Sequence, residues 1–353
     1  MKKLFLFDIV FAPIILCLLL GFLMLHSIAP QVFPQYYVYI LFAIIFFIVF
    51  LHTDFDTLGA FSGFLYGGSI LLLILPIVIG QVTRGTIRWI PIGSFNLQPA
   101  EIVRPFLILF FAHFFASRTL TLKRFLLSVP LMGLPLILIF LQPSLGVTLL
   151  TLAGFGGVIF SLNISRKYYV YAIVFFAIMS PILWSFLAPY QKDRVYSILS
   201  PGSDPMGQGY NSIQSVIAVG SGMFSGRGLG NGIQTQLSFL PEKHTDFMFA
   251  AISEELGFVG SAICLLSLFA ILLRFITFLD KTSSPTRKAY ISGVFASFFL
   301  QIFVHIGMNM GMLPITGIPL PLVSYGGSSL LSTAILLALT LQAGRVSGKI
   351  QSI

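Results

Sequence analysis

Ionisable side chains are scarce in this chain. Asp and Glu number 11 in 353 residues, and the four charged residue types together make up 9% of the sequence. Soluble domains usually carry about a quarter, so an ordinary water-soluble globule is excluded. Cysteine is nearly absent too: Cys17 and Cys264 both sit in apolar runs, which leaves no disulfide framework. There is no HExxH and no CxxC, so a catalytic zinc site has no ligand set. No GK[ST] follows any of the glycine-rich stretches, and no βαβ frame surrounds them, which argues against a soluble-type phosphate loop. No small-residue cleavage site follows MKKLFLFD, so no cleavable signal peptide is expected.

What the chain has is hydrocarbon. Apolar residues make up 57%, aromatic residues 14%, and the mean hydropathy is +0.97. Apolar stretches recur at lengths that cross roughly 30 Å of bilayer core at about 1.5 Å per residue. They predict ten spans, at 8–27, 36–52, 57–80, 100–117, 125–141, 144–162, 169–188, 246–273, 289–312 and 328–345. Mixed Ile, Leu and Phe without dyad alternation favours helices over a barrel. The expected fold is therefore an all-α polytopic membrane protein, one integral domain over 1–353, with a long irregular extracytoplasmic loop at about 189–245 between spans 7 and 8. With both termini cytoplasmic, 13 of the 20 Lys and Arg residues fall on the inner side, as the positive-inside bias requires. The net charge of +9 is thus mostly topological and calls for no nucleic acid. The seven outer basic residues, Arg84, Arg88, Arg104, Lys192, Arg194, Arg227 and Lys243, lie in or beside three irregular segments, 81–104, 189–246 and 313–327.

Each of those segments breaks the apolar pattern. The long loop holds nine glycines between Gly202 and Gly232, including GSGMFSGRGLGNG at 220–232. Glycine allows sharp turns and close approach, and packed re-entrant backbone is the expected use. In TRGTIRWIPIGSFNLQPAEIVR, Trp89 and the arginines suit an interfacial anchor. Glu101 and Arg104 share a face at i, i+3 just after Pro99 opens the fourth span. They read either as a self-contained ion pair or as a substrate contact, because charge in a span normally faces a partner or a cavity. In GMLPITGIPLPLVSYGGSS, three prolines and four glycines interrupt an apolar run, and Ser324 and Tyr325 can satisfy the broken backbone of a site wall.

The acids concentrate in one place. Glu242, Asp246, Glu254 and Glu255 lie within fourteen positions, beside Lys243 and His244. Asp246 is expected in the first turn of the eighth helix, where the dipole favours the ionised form. Glu254 and Glu255 are expected deeper in the span, as proton carriers, ligands or partners of a basic residue. Asp8, Asp54, Asp56 and Asp280 are expected on the cytoplasmic side, and Asp204 in a turn. His26, His52, His113 and His305 are isolated and read as polar packing residues.

Seven motifs in order resemble the SEDS family (shape, elongation, division and sporulation), most closely its RodA branch. They are TRGTIRWI at 83–90, QPAE at 98–101, QPSLG at 142–146, DPMGQGYN at 204–211, GSGMFSGRGLGNG at 220–232, FLPEKHTDFMFA at 239–250 with EELGF at 254–258, and GIPLPLVSYGGSSLL at 317–331. The short N-terminus and the ITGIPLP wording favour RodA over FtsW. The resemblance implies a peptidoglycan glycosyltransferase of the cytoplasmic membrane, multi-pass, with its active site at the extracytoplasmic face, that polymerises lipid II and expels polyprenyl pyrophosphate with inversion. Asp246 matches the family's essential aspartate. Glu101 matches the acid of its QPSE motif, and Arg104 stands where relatives often have lysine. Ala100 replaces the usual serine and Ser144 the usual aspartate of QPDLG, so that acid's role does not carry over.

On this reading Asp246 is the general base. Glu101, Arg104, Arg88, Trp89, Arg194, Lys243 and His244 contact substrate, with Glu254, Glu255, Ser324 and Tyr325 in support. Cations or a divalent ion held by carboxylates neutralise the leaving pyrophosphate. The implied partners are a class B penicillin-binding protein and other elongation-complex membrane proteins. The rival reading is a lipid II flippase, which the absence of an internal repeat and the one-sided polar chemistry disfavour. A third is a non-catalytic scaffold that anchors its partner, in which Asp246 and Glu101 are dispensable.

Overall fold

The computed structural model describes residues 9–79, 87–93, 95–116, 121–162 and 208–345, with isolated helical positions between 170 and 192. Beyond those positions the expected seventh span lies outside the described residues, as does Arg194. Among the described residues, seven helices are long and apolar enough to cross a membrane, joined by two shorter apolar helices, Leu145–Phe160 and Gly327–Ala343. The protein is mostly helical and of membrane-spanning character.

Contacts divide the chain into two compact units. The first comprises Met1–Leu162, Cys264–Ile302 and Pro321–Ile353. It contains α1 (Phe11–Ile28), α2 (Phe33–His52), α3 (Phe55–Ala60), α4 (Ser62–Ile79), a hairpin of β1 (Ile90–Ile92) and β2 (Phe95–Leu97), α5 (Pro99–Ala116), α6 (Leu122–Leu141) and α7 (Leu145–Phe160). The expected third span is divided at Phe61 into α3 and α4. Asp54 caps α3: its carboxylate accepts from the Thr57 amide at 2.9 Å and the Thr57 hydroxyl at 3.0 Å, which holds its pKa below the ordinary carboxylate value. Asp56 is not merely solvated, since Arg287 Nη2 meets its carboxylate at 2.7 Å.

A short hairpin that the apolar pattern did not predict precedes α5. IPI and FNL pair antiparallel, with Ile90 opposite Leu97 and Ile92 opposite Phe95. Gly93 at φ 61° supplies the left-handed turn residue such a tight connection requires. Its exit leads into α5, where the Gln98 amide donates to Ser328 Oγ at 2.7 Å.

Helix α12 (Gly327–Ala343) is the hub of this unit, packing on α2 and α5. Its Ser, Thr, Ala and Leu side chains are buried almost throughout, as expected where small residues let membrane helices approach closely. Helix α5 is 67% buried over its apolar window, against 17% for α6, whose apolar side chains are left to lipid. The segment of the long helix α11 (Pro285–Asn309) in this unit meets α7 backbone to backbone. A Cβ on Gly157 would lie 2.7 Å from Ala296 Cβ, and one on Gly293 would lie 2.9 Å from the Gly154 carbonyl.

The second unit comprises Asn163–Ile263 and Phe303–Leu320. It holds α8 (Gln208–Ser221), the short α9 (Ile233–Gln236), the beginning of α10 (Met248–Lys281) and the end of α11. Ala218, Leu240, Phe247 and Ala250 form a buried apolar cluster, with Val219 and Ile315 packed against it.

Candidate active site

Asp246 belongs to a run of turns, Pro241–Phe247, that delivers the chain into α10. The Thr245 and Asp246 amides both donate to the Glu242 carbonyl, at 3.1 and 3.0 Å, and the Thr245 hydroxyl donates to the Glu242 carboxylate at 2.8 Å. The helix starts at Met248, and its first i, i+4 bond runs from the Ala251 amide to Phe247 O at 3.0 Å. Asp246 therefore precedes the helix instead of occupying its first turn. The tight 242–247 turn claims the backbone first. Its half-buried carboxylate stays at the positive end of the dipole. A Cβ on Gly317 would lie 3.6 Å from Asp246 Oδ2, so the segment beside the carboxylate is bare backbone. Lys243 and His244, both half-buried, share the turn.

Helix α10 breaks at Gly257, with φ 67° and ψ −159°. In an unbroken helix the Phe258 amide would bond to Glu254 O, and the Val259 amide to Glu255 O. The glycine-rich loop takes over all four groups: Arg227 N–H donates to Glu254 O at 2.9 Å and Gly228 N–H to Glu255 O at 3.0 Å, while Phe258 N–H donates to Met223 O at 2.9 Å and Val259 N–H to Phe224 O at 3.2 Å. Backbone can insert this way only without side chains in between. A Cβ on Gly226 (φ 80°) would lie 2.5 Å from the Glu255 carbonyl carbon, and one on Gly222 would overlap the Ser253 carbonyl. GSGMFSGRGLGNG is thus the stitching of a broken membrane helix. Gly226→Val is expected to cost on the order of 3 kcal/mol, combining overpacking of about 1–3 kcal/mol with a positive-φ penalty. A matching fall in thermal midpoint of the purified protein in detergent checks it.

The same break settles what Glu254 and Glu255 do locally. Both are fully buried. Glu254 takes the Gln234 amide on Oε1 at 2.8 Å and the Thr235 amide on Oε2 at 2.9 Å, satisfying donors that α9 leaves open at its N-terminus. Glu255 accepts from Gln236 Nε2 at 2.8 Å, from Thr235 Oγ1 at 3.2 Å and from the Gly230 amide at 3.3 Å. Lys243 closes the set by donating to the Thr235 carbonyl. Burial pushes the Lys243 pKa down, and Glu255 and Glu254 partly restore it. The two glutamates thus accept from backbone amides, the Thr235 hydroxyl and the Gln236 side-chain amide, with Lys243 near enough for both to act on its charge.

Glu101 and Arg104 lie in the first unit. Glu101 is in the first turn of α5, and Arg104 Nη2 approaches its Oε2 at 3.4 Å, with the side chains 3% and 0% exposed. Arg104 Nε, Nη1 and Nη2 have no hydrogen-bond partner among the described residues. The guanidinium thus has an ion pair and spare donors at once, so both sequence readings stay compatible with the geometry. Arg88 lies 5.7 Å over the Trp89 ring, and both side chains are half-buried. Ser324 is buried, and Tyr325 donates to Gln35 Oε1 at 2.8 Å beside the rings of Tyr36 and Tyr39. Ser144 accepts from Gln98 Nε2 at 3.1 Å. No three His, Cys, Asp or Glu side chains come together among the described residues, so no protein-built metal cage is formed there.

One residue escaped the sequence reading. Asn309, fully buried at the end of α11, bonds to both sides of the α10 start. Its signal was an amide inside an apolar run, which is conspicuous in a membrane span.

The comparisons decide the relationship. The family model described as FtsW/RodA/SpoVE, cell cycle protein, matches residues 7–348. The chain belongs to this family. Among curated relatives, the peptidoglycan glycosyltransferase MrdB of Escherichia coli K12 is 39% identical over 271 residues, 76% of this chain and 73% of that protein. The probable peptidoglycan glycosyltransferase FtsW of Aliivibrio salmonicida is 36% identical over 283 residues, 78% of this chain and 70% of that protein. Among solved structures, a chain of a peptidoglycan synthase complex that coordinates polymerization and crosslinking superposes with a TM-score of 0.79 at 31% identity, covering 95% of this chain and 96% of that one. The rod shape determining protein RodA of Thermus thermophilus gives 0.71 at 25% identity, with 95% of each chain covered. The SEDS resemblance read from seven motifs is borne out at family level.

Proposed function

We propose that this chain is a peptidoglycan glycosyltransferase that polymerises lipid II into glycan strands during cell elongation, working at the extracytoplasmic face of the cytoplasmic membrane within one ten-span domain. The observation that carries the reading is the near end-to-end family match, with relatives named peptidoglycan glycosyltransferases at up to 39% identity. Asp246 is the general base. Its carboxylate takes the proton of the acceptor sugar hydroxyl as that oxygen attacks the anomeric carbon. The new C–O bond forms on the face opposite the leaving group, the anomeric C–O bond to the pyrophosphate breaks, and its electron pair departs on polyprenyl pyrophosphate. The half-buried carboxylate at the start of α10, beside bare backbone at Gly317, supports this role.

The leaving group needs charge neutralisation and no acid. Arg104, with its three nitrogens lacking hydrogen-bond partners among the described residues, and Arg88 suit that task, with Arg194, Trp89, His244 and Glu101 completing the substrate contacts. Lys243, which spends one of its three N–H donors on Thr235 O, is a further substrate contact, and Glu254 and Glu255 support the α9 segment to which it bonds. Ser324 and Tyr325 form part of the supporting wall. The carboxylates described hold no cage for a divalent ion, and no step is assigned to one. A class B penicillin-binding protein is the partner expected to activate polymerisation and to crosslink the product, alongside other elongation-complex membrane proteins.

The test is lipid II polymerisation by the purified protein with its cognate class B partner, whose transpeptidase serine is removed. Glycan strands support the reading. Lipid transfer across liposomes with no polymer overturns it in favour of transport, and neither activity leaves a scaffold.

A further inference from the structure

We propose that Asn309 is a positioning residue for Asp246, and that the last turn of α11 fixes both the backbone that carries the base and the wall beside it. The inference rests on the reading of Asp246 as the base.

Asn309 uses its whole amide. Its Oδ1 accepts from the Ala250 amide at 2.9 Å, and its Nδ2 donates to the Asp246 carbonyl at 3.0 Å and to the His305 carbonyl at 2.7 Å. The amide orientation follows from its partners, because an N–H can only donate and a carbonyl only accept. The Ala250 amide is one of the donors that the start of α10 cannot satisfy within the helix. One side chain from a different helix therefore grips α10 on either side of its first residue. It fixes the peptide on the C-terminal side of Asp246, so it sets the direction in which the carboxylate leaves the backbone.

His305 does the corresponding job one turn earlier. Four residues before Asn309, it lies on the same face of α11. Its Nδ1 meets the Ile318 carbonyl at 2.7 Å, and since that carbonyl can only accept, Nδ1 carries the hydrogen. Ile318 follows Gly317, which lies beside the carboxylate: a Cβ there would meet Asp246 Oδ2 at 3.6 Å, an ordinary contact distance. The turn bearing the carboxylate and the irregular segment beside it thus hang from neighbouring side chains of one helix. Asn309 itself is tied down by the Ser215 hydroxyl, which donates to its main-chain carbonyl at 2.8 Å. Ser215 belongs to the same junction but touches nothing at Asp246, which makes it the structural control.

The experiment compares wild type, Asn309→Ala, Asn309→Ser, Ser215→Ala and Asp246→Asn as complexes with the class B partner, measuring kcat and KM for lipid II polymerisation and the thermal midpoint of each. A misdirected base should lower kcat by about 10²-fold, as displacement of reacting groups by an ångström does. KM should stay within about threefold, because substrate contacts are elsewhere. Asn309→Ser, whose short hydroxyl reaches at most one of the two α10 partners, should show the same split and serves where the alanine variant does not fold. Ser215→Ala should lower the thermal midpoint without a comparable kcat loss. If both Asn309 variants lose no more kcat than Ser215→Ala at matched stability, or if KM rises while kcat holds, the proposal is overturned. Wild-type turnover by Asp246→Asn would overturn the reading of the base itself, whereas an inactive Asp246→Asn with active Asn309 variants sinks the positioning role alone.

Discussion

Asp246→Asn is expected to lower lipid II polymerisation by roughly 10³-fold, within the range of about 10²–10⁴ contributed by a positioned general base. The substitution is nearly isosteric; it removes the negative charge and the proton-accepting oxygen while keeping the size of the side chain. The Asp246 carbonyl still takes its bond from Asn309, and its amide still donates to Glu242 O, so the local fold is predicted to survive. A loss of activity with an unchanged thermal midpoint and intact partner binding identifies the carboxylate as chemically required. Activity within about tenfold of wild type would be too small a loss for the base, and Glu101 would become the candidate.

Glu101→Ala is expected to destabilise the protein by about 3–5 kcal/mol, since removing one partner of a buried ion pair strands the other charge. Arg104 is fully buried, and Glu101 Oε2 at 3.4 Å is its one ion-pair partner among the described residues. The double variant Glu101→Ala/Arg104→Leu removes both charges and should recover most of that loss. A large coupling between the two positions, read from thermal or denaturant unfolding of the four variants, confirms the pair. A single-variant cost below about 1 kcal/mol would mean that water or another group already compensates Arg104. Activity of the folded double variant then separates the two readings of the pair. If it still polymerises, the pair is structural. If it is stable and inactive, the spare guanidinium donors serve substrate.

The helices were legible because span length and apolar content are local properties. Pro99 marked the start of α5 and Glu101 its first turn, as expected, since proline is pre-shaped for a first helical turn. The predicted boundaries moved where local and distant demands compete. Asp246 was expected inside a helix, but the turn at Glu242 takes its amide, and the helix waits until Met248. The third span, read as continuous, divides at Phe61. The hairpin at 90–97 was missed: three-residue strands carry too little periodicity to register, although Gly93 marked the turn.

The sequence by itself determined that this is a helical membrane protein of the FtsW/RodA/SpoVE family. It also determined which carboxylates, arginines and glycines are out of place in hydrocarbon, because transfer cost depends on residue type and run length alone. Only the tertiary structure decided what those residues do. A helix broken at Gly257 leaves donors and acceptors whose partners lie some thirty residues away, and no pattern within the helix says which loop will supply them. The same holds for Glu254, found taking the open amides of α9, and for Glu255, found holding the side chains of Thr235 and Gln236. It holds most clearly for Asn309, which reaches Asp246 across 63 positions of chain. Backbone groups cut off from water must be paired by whatever the folded chain brings alongside, and that choice is made only when distant segments meet.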